Sequence, residues 1–299
     1  MNALPTFPAS VPLGFEHQPL IAGLLARKGI HSSDFAFYNL WGWYLEKPTQ
    51  ISRFGDHLIL VVEGPGGACL ALPPLGEGPI RGALEALLAQ MAVRGCPLTL
   101  SYVPTIIKEE IVAAVPGCRC EPQRSDFDYL YDRTELAELA GRKFHQKKNF
   151  VNRVQDELRP VVERMTPAHA DEVQAYLDQW YAAFPATDET VKIEALAARR
   201  ALPHLDRMGG LGILVRVDGR LAGVSFASPV HPGCWVVTLE KAERSYKGLY
   251  QFLNWALVNR LPPDVTLINR ETDLGIEGLR TAKLSYHPCG FEEKFTIWF

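Results

Sequence analysis

Charge of one sign, cysteine and long apolar runs are all scarce in this chain of 299 residues, and each scarcity excludes a class of protein. Lysine and arginine total 31 against 34 aspartate and glutamate, for a formal net charge of −3. Such a balance excludes a basic field over the whole surface, although a local basic patch remains compatible with it. The longest apolar stretches, residues 58–62 and 213–217, are as long as strands and far shorter than the ~20 residues of a membrane span. We therefore expect a soluble protein without a transmembrane segment.

The N-terminal segment also lacks the features of a secretory signal. Residues 1–20 (MNALPTFPASVPLGFEHQPL) contain neither a basic start nor a long apolar run. Together with the small number of cysteines, which forms no dense disulfide framework, this predicts a cytoplasmic location.

Metal sites and the common hydrolase motifs are likewise missing from the sequence. Of six cysteines only Cys118 and Cys120 lie close together, and one C-x-C pair without a second pair is poor zinc spacing. The histidines are scattered with no metal-binding spacing. No G-x-S-x-G, Walker or H-E-x-x-H motif occurs. The sequence therefore predicts no metal site and gives no support to a hydrolase.

What the chain does contain is an order of elements that occurs twice. The first half is predicted as strand–strand–strand–helix–strand–helix–strand. After an opening strand at residues 161–165, the second half is predicted as helix–helix–hairpin–strand–helix–strand–helix–strand. No repeat is visible at the level of residues. The length fits two domains, and we predict an α/β (α+β) fold with domains at residues 1–150 and 151–299, each a mixed, mostly antiparallel sheet flanked by helices.

Two stretches of the sequence resemble a known family. Residues 139–153 (LAGRKFHQKKNFVNR) and 268–288 (INRETDLGIEGLRTAKLSYHP), with the turn 240–248 (EKAERSYKG) between them, are similar to a bacterial family of unknown function that resembles the C-terminal domain of phosphatidylglycerol lysyltransferases. The layout of the second half also resembles the Gcn5-related N-acetyltransferase fold. The resemblance implies a tandem of two acyl-CoA N-acyltransferase-like domains, with the chemistry in the second.

The activity that the resemblance implies is acyl or aminoacyl transfer to an amine or a hydroxyl. The donor would be acyl-CoA or aminoacyl-tRNA, the acceptor a small molecule or a lipid headgroup, and no resident cofactor would be required. One departure bears on the donor: the turn before residue 249 has a single glycine, Gly248, where acetyltransferases have the pattern Q/R-x-x-G-x-G/A. An aminoacyl-tRNA donor does not need that loop. The departure equally favours the alternative, a non-catalytic module that binds a ligand or nucleotide on a degenerate acyltransferase fold.

Acyl transfer needs a base, a group that stabilises an oxyanion, and a proton for the leaving group. Glu240, at the end of the central strand, is the candidate base, and Tyr286 is the candidate proton donor. Both also fit structural roles, as an acid at a solvated helix start and as a packed tyrosine. Four residues around the start of the following helix are the candidates for binding the donor: Ser245, Lys247, Gly248 and Tyr250.

Substrate binding is predicted for two polar groups. The first follows the strand at residues 265–268, where α/β folds place ligand groups, and continues onto the next helix; its members are Asn269, Glu271, Asp273, Arg280 and Lys283. The second lies on the basic helix 144–158, which we expect to face a polyanion such as a tRNA acceptor end or coenzyme A phosphates; its members are Lys148, Asn149 and Arg153. The structural alternatives are ion pairs of Glu271 or Asp273 with Arg280, and a solvated charged face. A third function class, an RNA- or protein-binding scaffold, rests on this helix alone.

Overall fold

The computed structural model describes residues 4–43, 48–63, 69–183 and 189–299. Within these ranges the strands are β1 Val11–Pro12, β2 Gln50–Phe54, β3 His57–Glu63, β4 Cys69–Ala71, β5 Leu75–Gly76, β6 Thr99–Pro104, β7 Arg119–Pro122, β8 Asp128–Asp132, β9 Val161–Met165, β10 Leu211–Val217, β11 Arg220–His231, β12 Cys234–Ala242, β13 Leu267–Asn269, β14 Gly290–Glu292 and β15 Lys294–Trp298. The helices are α1 Gln18–Lys28, α2 Phe37–Gly42, α3 Arg81–Val93, α4 Thr105–Ala114, α5 Arg133–Glu138, α6 His145–Leu158, α7 Ala170–Tyr181, α8 Glu189–Ala201, α9 Leu249–Val258 and α10 Glu277–Leu284.

These strands form two mixed sheets. The first has the order β1-β2-β3-β4-β6-β15-β7 with β5 beside β3, and the second has the order β14-β8-β13-β12-β11-β10-β9. Neighbours are antiparallel except for β4 with β6 and β12 with β13. The hairpin β10–β11 turns at Asp218 and Gly219, which both have positive φ (49° and 75°), the conformation that matches the twist of two antiparallel strands. The predicted class, mixed sheets flanked by helices, is confirmed.

The two sheets exchange strands across the middle of the chain. β8, from the first half, pairs with β13 and β14 in the second sheet. β15, at the end of the second half, pairs with β6 and β7 in the first sheet. The predicted domain boundary between residues 150 and 151 falls inside α6. It follows the order of elements along the chain and does not separate the two sheets. Alternation of apolar and polar side chains predicts a strand but does not indicate which sheet the strand joins. The exchange of β8 and β15 was therefore not predicted from the sequence.

The apolar cores lie on opposite faces of the second sheet. On one face, Val224, Phe226 and Leu239 pack into a core shared with α1, α2, α7 and the first sheet. On the other, Val215 and Val237 pack under α5, α6 and α9. Each fully buried side chain of this size contributes about 1.5–3 kcal/mol. No described helix combines the length and the hydropathy that crossing a lipid bilayer requires.

Candidate functional site

The second sheet opens between its two parallel strands. β12 and β13 pair only from Cys234 to Val236, opposite residues 267–269. Beyond that point β12 runs on to Ala242 paired with β11 alone, while β13 has ended. The register on β11 shifts here, so that Thr238 is a bulge residue without a partner opposite it. A bulge bends its strand and redirects the side chains that follow, and this one lies where the two strands separate.

An ion pair lies at this opening. The Nη2 of Arg270 is 2.8 Å from Oε1 of Glu240, and both side chains are largely buried. The other carboxylate oxygen, Oε2, accepts a hydrogen bond of 3.1 Å from Nδ2 of Asn254 on α9. Burial lowers the pKa of Arg270, but the charge of Glu240 outweighs this and the net shift is upward. Arg270 is therefore a fixed cation, and Glu240 has both oxygens engaged.

Two cations share the ring of Tyr286. The guanidinium of Arg270 lies 4.9 Å from the ring centroid, and the ammonium of Lys147 lies 4.4 Å from it. Lys147 is only 9% exposed, and its ammonium has no hydrogen-bond acceptor among the described residues. Burial, and then the charge of Arg270, lower the pKa of Lys147. Burial raises the pKa of Tyr286 to about 12, against the opposing effect of Arg270. We call Lys147, Glu240, Arg270 and Tyr286 the Arg270 cluster.

The sequence predictions missed Lys147 and Arg270. The charges of α6 were expected to face a polyanion or solvent, but Lys147 lies on the buried face with Phe144, Val151 and Val154. The signal was available, because positions 144, 147, 151 and 154 follow the spacing of one buried helix stripe. A lysine in such a stripe marks a buried cation. Arg270 lies inside the polar run after β13, but a run of five polar residues does not indicate which one turns inward.

The loop after β13 is held by Lys283 of α10. Its ammonium donates to the carbonyl oxygens of Arg270 and Thr272, the latter at 2.7 Å. Burial lowers the pKa of Lys283 to about 8. Burial also raises the pKa of Glu271 to about 7, although a 3.0 Å hydrogen bond from Asn39 and the charge of Lys283 oppose the rise. Lys283 thus fixes the backbone that carries Arg270.

Asn269 joins the two halves at a buried junction. Its Nδ2 donates to Asp128 at 2.8 Å and to the carbonyl oxygen of His31 at 2.7 Å. Asp128 also accepts a hydrogen bond of 2.8 Å from the ammonium of Lys294, which is paired with Asp34 as well. Asn269, Asp128 and Lys294 are fully buried. This geometry gives Asn269 a structural contact between the halves.

Asp273 and Arg280 are paired with each other. Asp273 is fully buried and accepts hydrogen bonds from Arg280 at 2.8 and 3.1 Å, from the hydroxyl of Tyr129 at 2.6 Å and from the amide of Gly275 at 2.8 Å. Burial raises its pKa, but these hydrogen bonds together lower it below the ordinary value. The structure thus shows an ion pair between Asp273 and Arg280, which was the structural alternative to substrate binding.

The residues predicted to bind the donor surround the start of α9. Gly248 is the N-cap with φ of 95°, and a Cβ built on it would lie 3.2 Å from atoms of Phe150 on α6. The close approach that this glycine permits is therefore to α6. Ser245, Lys247 and Arg153 line one pocket of ≈ 190 Å³ between α6 and the turn that precedes α9. Tyr250 is half-buried, and burial raises its pKa.

The remaining predicted residues lie along α6, outside the Arg270 cluster. Lys148 lines a larger pocket of ≈ 390 Å³ with Asn152 and Trp255, and its ammonium donates to the carbonyl oxygen of Glu138 at 2.9 Å. Asn149 is exposed, 3.4 Å from a ring nitrogen of His145. The basic face of α6 is thus split between two pockets, while Lys147 points inward.

Comparison with known proteins shows the family of the chain. A family model described as the C-terminal region of phosphatidylglycerol lysyltransferase matches residues 26–298. The chain belongs to that family. The resemblance seen at residues 139–153 and 268–288 is confirmed, and the match extends through the first half. A search of curated proteins finds no significant match.

Solved structures agree with the family. A conserved protein of unknown function from Bacteroides thetaiotaomicron is 27% identical, covering 97% of this chain and 99% of its own, with a TM-score of 0.92. The structure of L-PGS from Bacillus licheniformis is 14% identical, covering 100% of this chain and 93% of that one, with a TM-score of 0.65. A tandem GNAT protein from the clavulanic acid biosynthesis pathway is 14% identical, covering 97% of each chain, with a TM-score of 0.50. The predicted tandem acyltransferase fold is confirmed.

Proposed function

We propose that this chain transfers an aminoacyl group from an aminoacyl-tRNA to an amine or hydroxyl acceptor. The name of its family describes the transfer of a lysyl group to phosphatidylglycerol, whose headgroup carries hydroxyls. The splayed strands of the second sheet and the polar groups at the opening support the same class of reaction. Aminoacyl-tRNA is made in the cytoplasm, so we propose that compartment for the reaction, with a small molecule or a lipid headgroup as acceptor.

The observation that carries the proposal is the state of Lys147. The side chain of Lys147 is nine-tenths buried and its ammonium lacks an acceptor among the described residues, which makes the charge costly to keep, and the nearby Arg270 adds a second positive charge. An anionic ligand bound at the opening would offset both positive charges. Arg270 directly follows the end of β13, where β12 and β13 separate and leave an opening in the sheet.

The residues of the cluster then take separate roles in the reaction. The acceptor nitrogen or oxygen attacks the ester carbonyl carbon, and negative charge develops on the carbonyl oxygen. Lys147 and Arg270 stabilise that charge. Tyr286 keeps its proton near neutral pH and can give it to the departing ribose oxygen, and the proton that the acceptor loses as its new bond forms passes through water to the Tyr286 oxygen. Because both oxygens of Glu240 are engaged, we assign it to positioning Arg270, in place of the role of base that its sequence position suggested.

The head of α9 bears on the choice of donor. Gly248 is the single glycine of this turn, and Phe150 packs against it, so on that side it gives a pyrophosphate no open approach to the backbone. Aminoacyl-tRNA binds instead through a long phosphate backbone, for which the exposed cations Lys148, Arg153 and Lys247 on α6 and beside α9 are suited. We therefore rank acyl-CoA as the second donor.

The test measures loss of a labelled aminoacyl group from tRNA. A pool of aminoacyl-tRNAs is incubated with the protein and either phosphatidylglycerol vesicles or a small primary amine, and a parallel arm measures thiol release from acetyl-CoA. We expect acceptor-dependent deacylation, and a rate about 100-fold lower in Lys147→Met, the scale for losing one oxyanion donor. The matched control is Lys143→Met, an exposed lysine paired with Glu135 on the surface.

Two outcomes would contradict the proposal. One is a folded protein that deacylates none of the tRNAs with any acceptor. The other is a Lys147→Met variant as active as the wild type. Binding of tRNA without turnover, lost in Lys147→Met, would favour the non-catalytic ligand-binding module, a candidate that the full engagement of Glu240 supports.

A further inference from the structure

Three side chains with metal-binding atoms meet at the junction of the two halves. His31 follows α1 in the first half, His231 ends β11, and Cys234 begins β12. Their ligand atoms all lie within 4.8 Å of one another. The Nδ1 of His31 is 2.9 Å from the Nε2 of His231. We propose that these residues form a zinc site, separate from the Arg270 cluster.

The spacing of the three ligands is close to that of a tetrahedral zinc ion. Zinc binds imidazole nitrogen at about 2.0–2.1 Å and thiolate sulfur at about 2.3 Å, which places two nitrogens roughly 3.3 Å apart and nitrogen and sulfur roughly 3.6 Å apart. The two ring nitrogens must separate by about 0.4 Å, and the thiol must approach by about 1.2 Å at most. Both movements are within the range of small side-chain rotations.

The backbone that carries His231 and Cys234 is held firmly. The two residues face each other across the turn formed by Pro232 and Gly233. The carbonyl oxygen of Gly233 accepts hydrogen bonds from the amides of Thr266 and Leu267, both at 3.1 Å. A fixed two-residue turn therefore presents an imidazole and a thiol side by side.

The backbone of His31 is fixed from both sides. Its amide donates to Oε2 of Glu292 at 2.8 Å, and its carbonyl oxygen accepts from Asn269 at 2.7 Å. These bonds orient the third ligand toward the turn without using either ring nitrogen. Ligands whose carriers are locked in this way bind metal with little loss of conformational freedom.

The surroundings of the thiol suit a cation. Cys234 is fully buried and His231 is 9% exposed, and the thiol has no hydrogen-bond partner among the described residues. The carboxylates of Asp128, which is paired with Lys294, and of Glu292 lie within electrostatic range of the sulfur. A zinc ion would give the thiol a partner and would be stabilised by Glu292.

The protons balance as follows when the ion binds. The two imidazoles share one N–H between their facing nitrogens; that proton moves to the other nitrogen of its own ring, which frees both lone pairs for the metal. The thiol of Cys234 loses its proton to solvent, so one proton is released for each Zn²⁺ bound. Water fills the fourth position. The ion would tie residue 31 to the β11–β12 turn and so stabilise the contact between the halves.

The experiment measures metal retention by the full chain. Protein is loaded with zinc, dialysed against a weak chelator and analysed for zinc by mass spectrometry. We expect about one zinc per chain in the wild type and at least about tenfold less in Cys234→Ser and His231→Asn. Cys96→Ser, which removes an exposed thiol, is the matched control and should retain zinc. Addition of zinc should raise the melting temperature of the wild type and of this control only.

Cobalt provides a readout that does not depend on the variants folding. Co²⁺ in the site should show the intense bands of a tetrahedral ion and a thiolate-to-metal charge-transfer band, in the wild type and in Cys96→Ser. Octahedral cobalt without that band would overturn the proposal. So would a wild type that retains no zinc, or zinc retained equally by Cys234→Ser.

Discussion

Replacing Lys294 by methionine should be among the most damaging single changes in the chain. Lys294 is fully buried at the start of β15, the strand exchanged into the first sheet. Its ammonium contacts Asp34, lies 2.8 Å from Asp128, and lies 3.3 Å from the hydroxyl of Ser33. Methionine preserves most of the volume and removes the charge, so it leaves the fully buried carboxylate of Asp128 and the largely buried one of Asp34 without their cation.

The expected cost follows from that loss. Breaking a buried ion pair by removing one partner costs about 3–5 kcal/mol. For a chain of this size each kcal/mol lowers the melting temperature by roughly 2–3 °C, so the variant should melt about 6–15 °C below the wild type. Lys143→Met, which breaks an exposed pair, should change stability by about 1 kcal/mol or less.

The deficit should also grow with pH. Burial raises the pKa of Asp34, and Lys294 opposes the rise; without Lys294 the pKa of Asp34 rises further. A carboxyl whose folded pKa lies above its unfolded value contributes stability that is present at low pH and lost as the pH rises through the folded pKa. Lys294→Met should therefore lose more stability than the wild type between pH 5 and 8.

The assay is chemical denaturation of both proteins and of the double variant with Asp34→Asn. The double variant should cost at least about 1 kcal/mol less than the sum of the single changes, because the same interaction is removed twice. A Lys294→Met protein within about 1 kcal/mol of the wild type at pH 8 would refute the account of the junction. A deficit that shrinks as the pH rises would refute the role of the carboxylates.

Three further predictions concern the second half. Gly248→Ala should destabilise the protein by about 1–3 kcal/mol in urea denaturation, since the φ of 95° is strained for alanine and its Cβ would press on Phe150; no loss would mean that α6 and α9 are packed less closely. The stability of Glu271→Gln relative to the wild type should increase from pH 5 to pH 8. The protonated Glu271 contributes stability that is fully present below its ordinary pKa of 4.5 and is lost as the pH rises through about 7, and glutamine does not titrate. A pH-independent difference in thermal melts would contradict this. Asp273→Asn should lower the free energy of unfolding by about 2–4 kcal/mol at pH 7, because it leaves Arg280 and the other donors poorly paired. Since the pKa of Asp273 is depressed, this loss relative to the wild type should shrink as the pH falls below about 4. A loss that stays constant with pH would be the contrary result.

Much of the candidate site could be placed along the chain but not arranged in space. The end of the central strand at Glu240 and the polar run after residue 268 were predicted, and Glu240 and Tyr286 do come together. Arg270 joins them, since it pairs with Glu240, 30 residues earlier in the chain, and lies over the ring of Tyr286. Lys147 was not predicted as a site residue because a helix lysine is expected to be exposed, since lysines are almost never buried without a partner.

The sequence alone determined the local structure, because apolar spacing and turn residues such as Asp218-Gly219 act over a few neighbouring residues. The motif residues also determined the family. Only the tertiary structure decided the partners: β8 and β15 exchanged between sheets, Lys294 between two aspartates, and His31 beside His231 and Cys234. Those contacts join positions up to some 260 residues apart, and they depend on which surfaces meet once the sheets have packed, information that no local pattern carries.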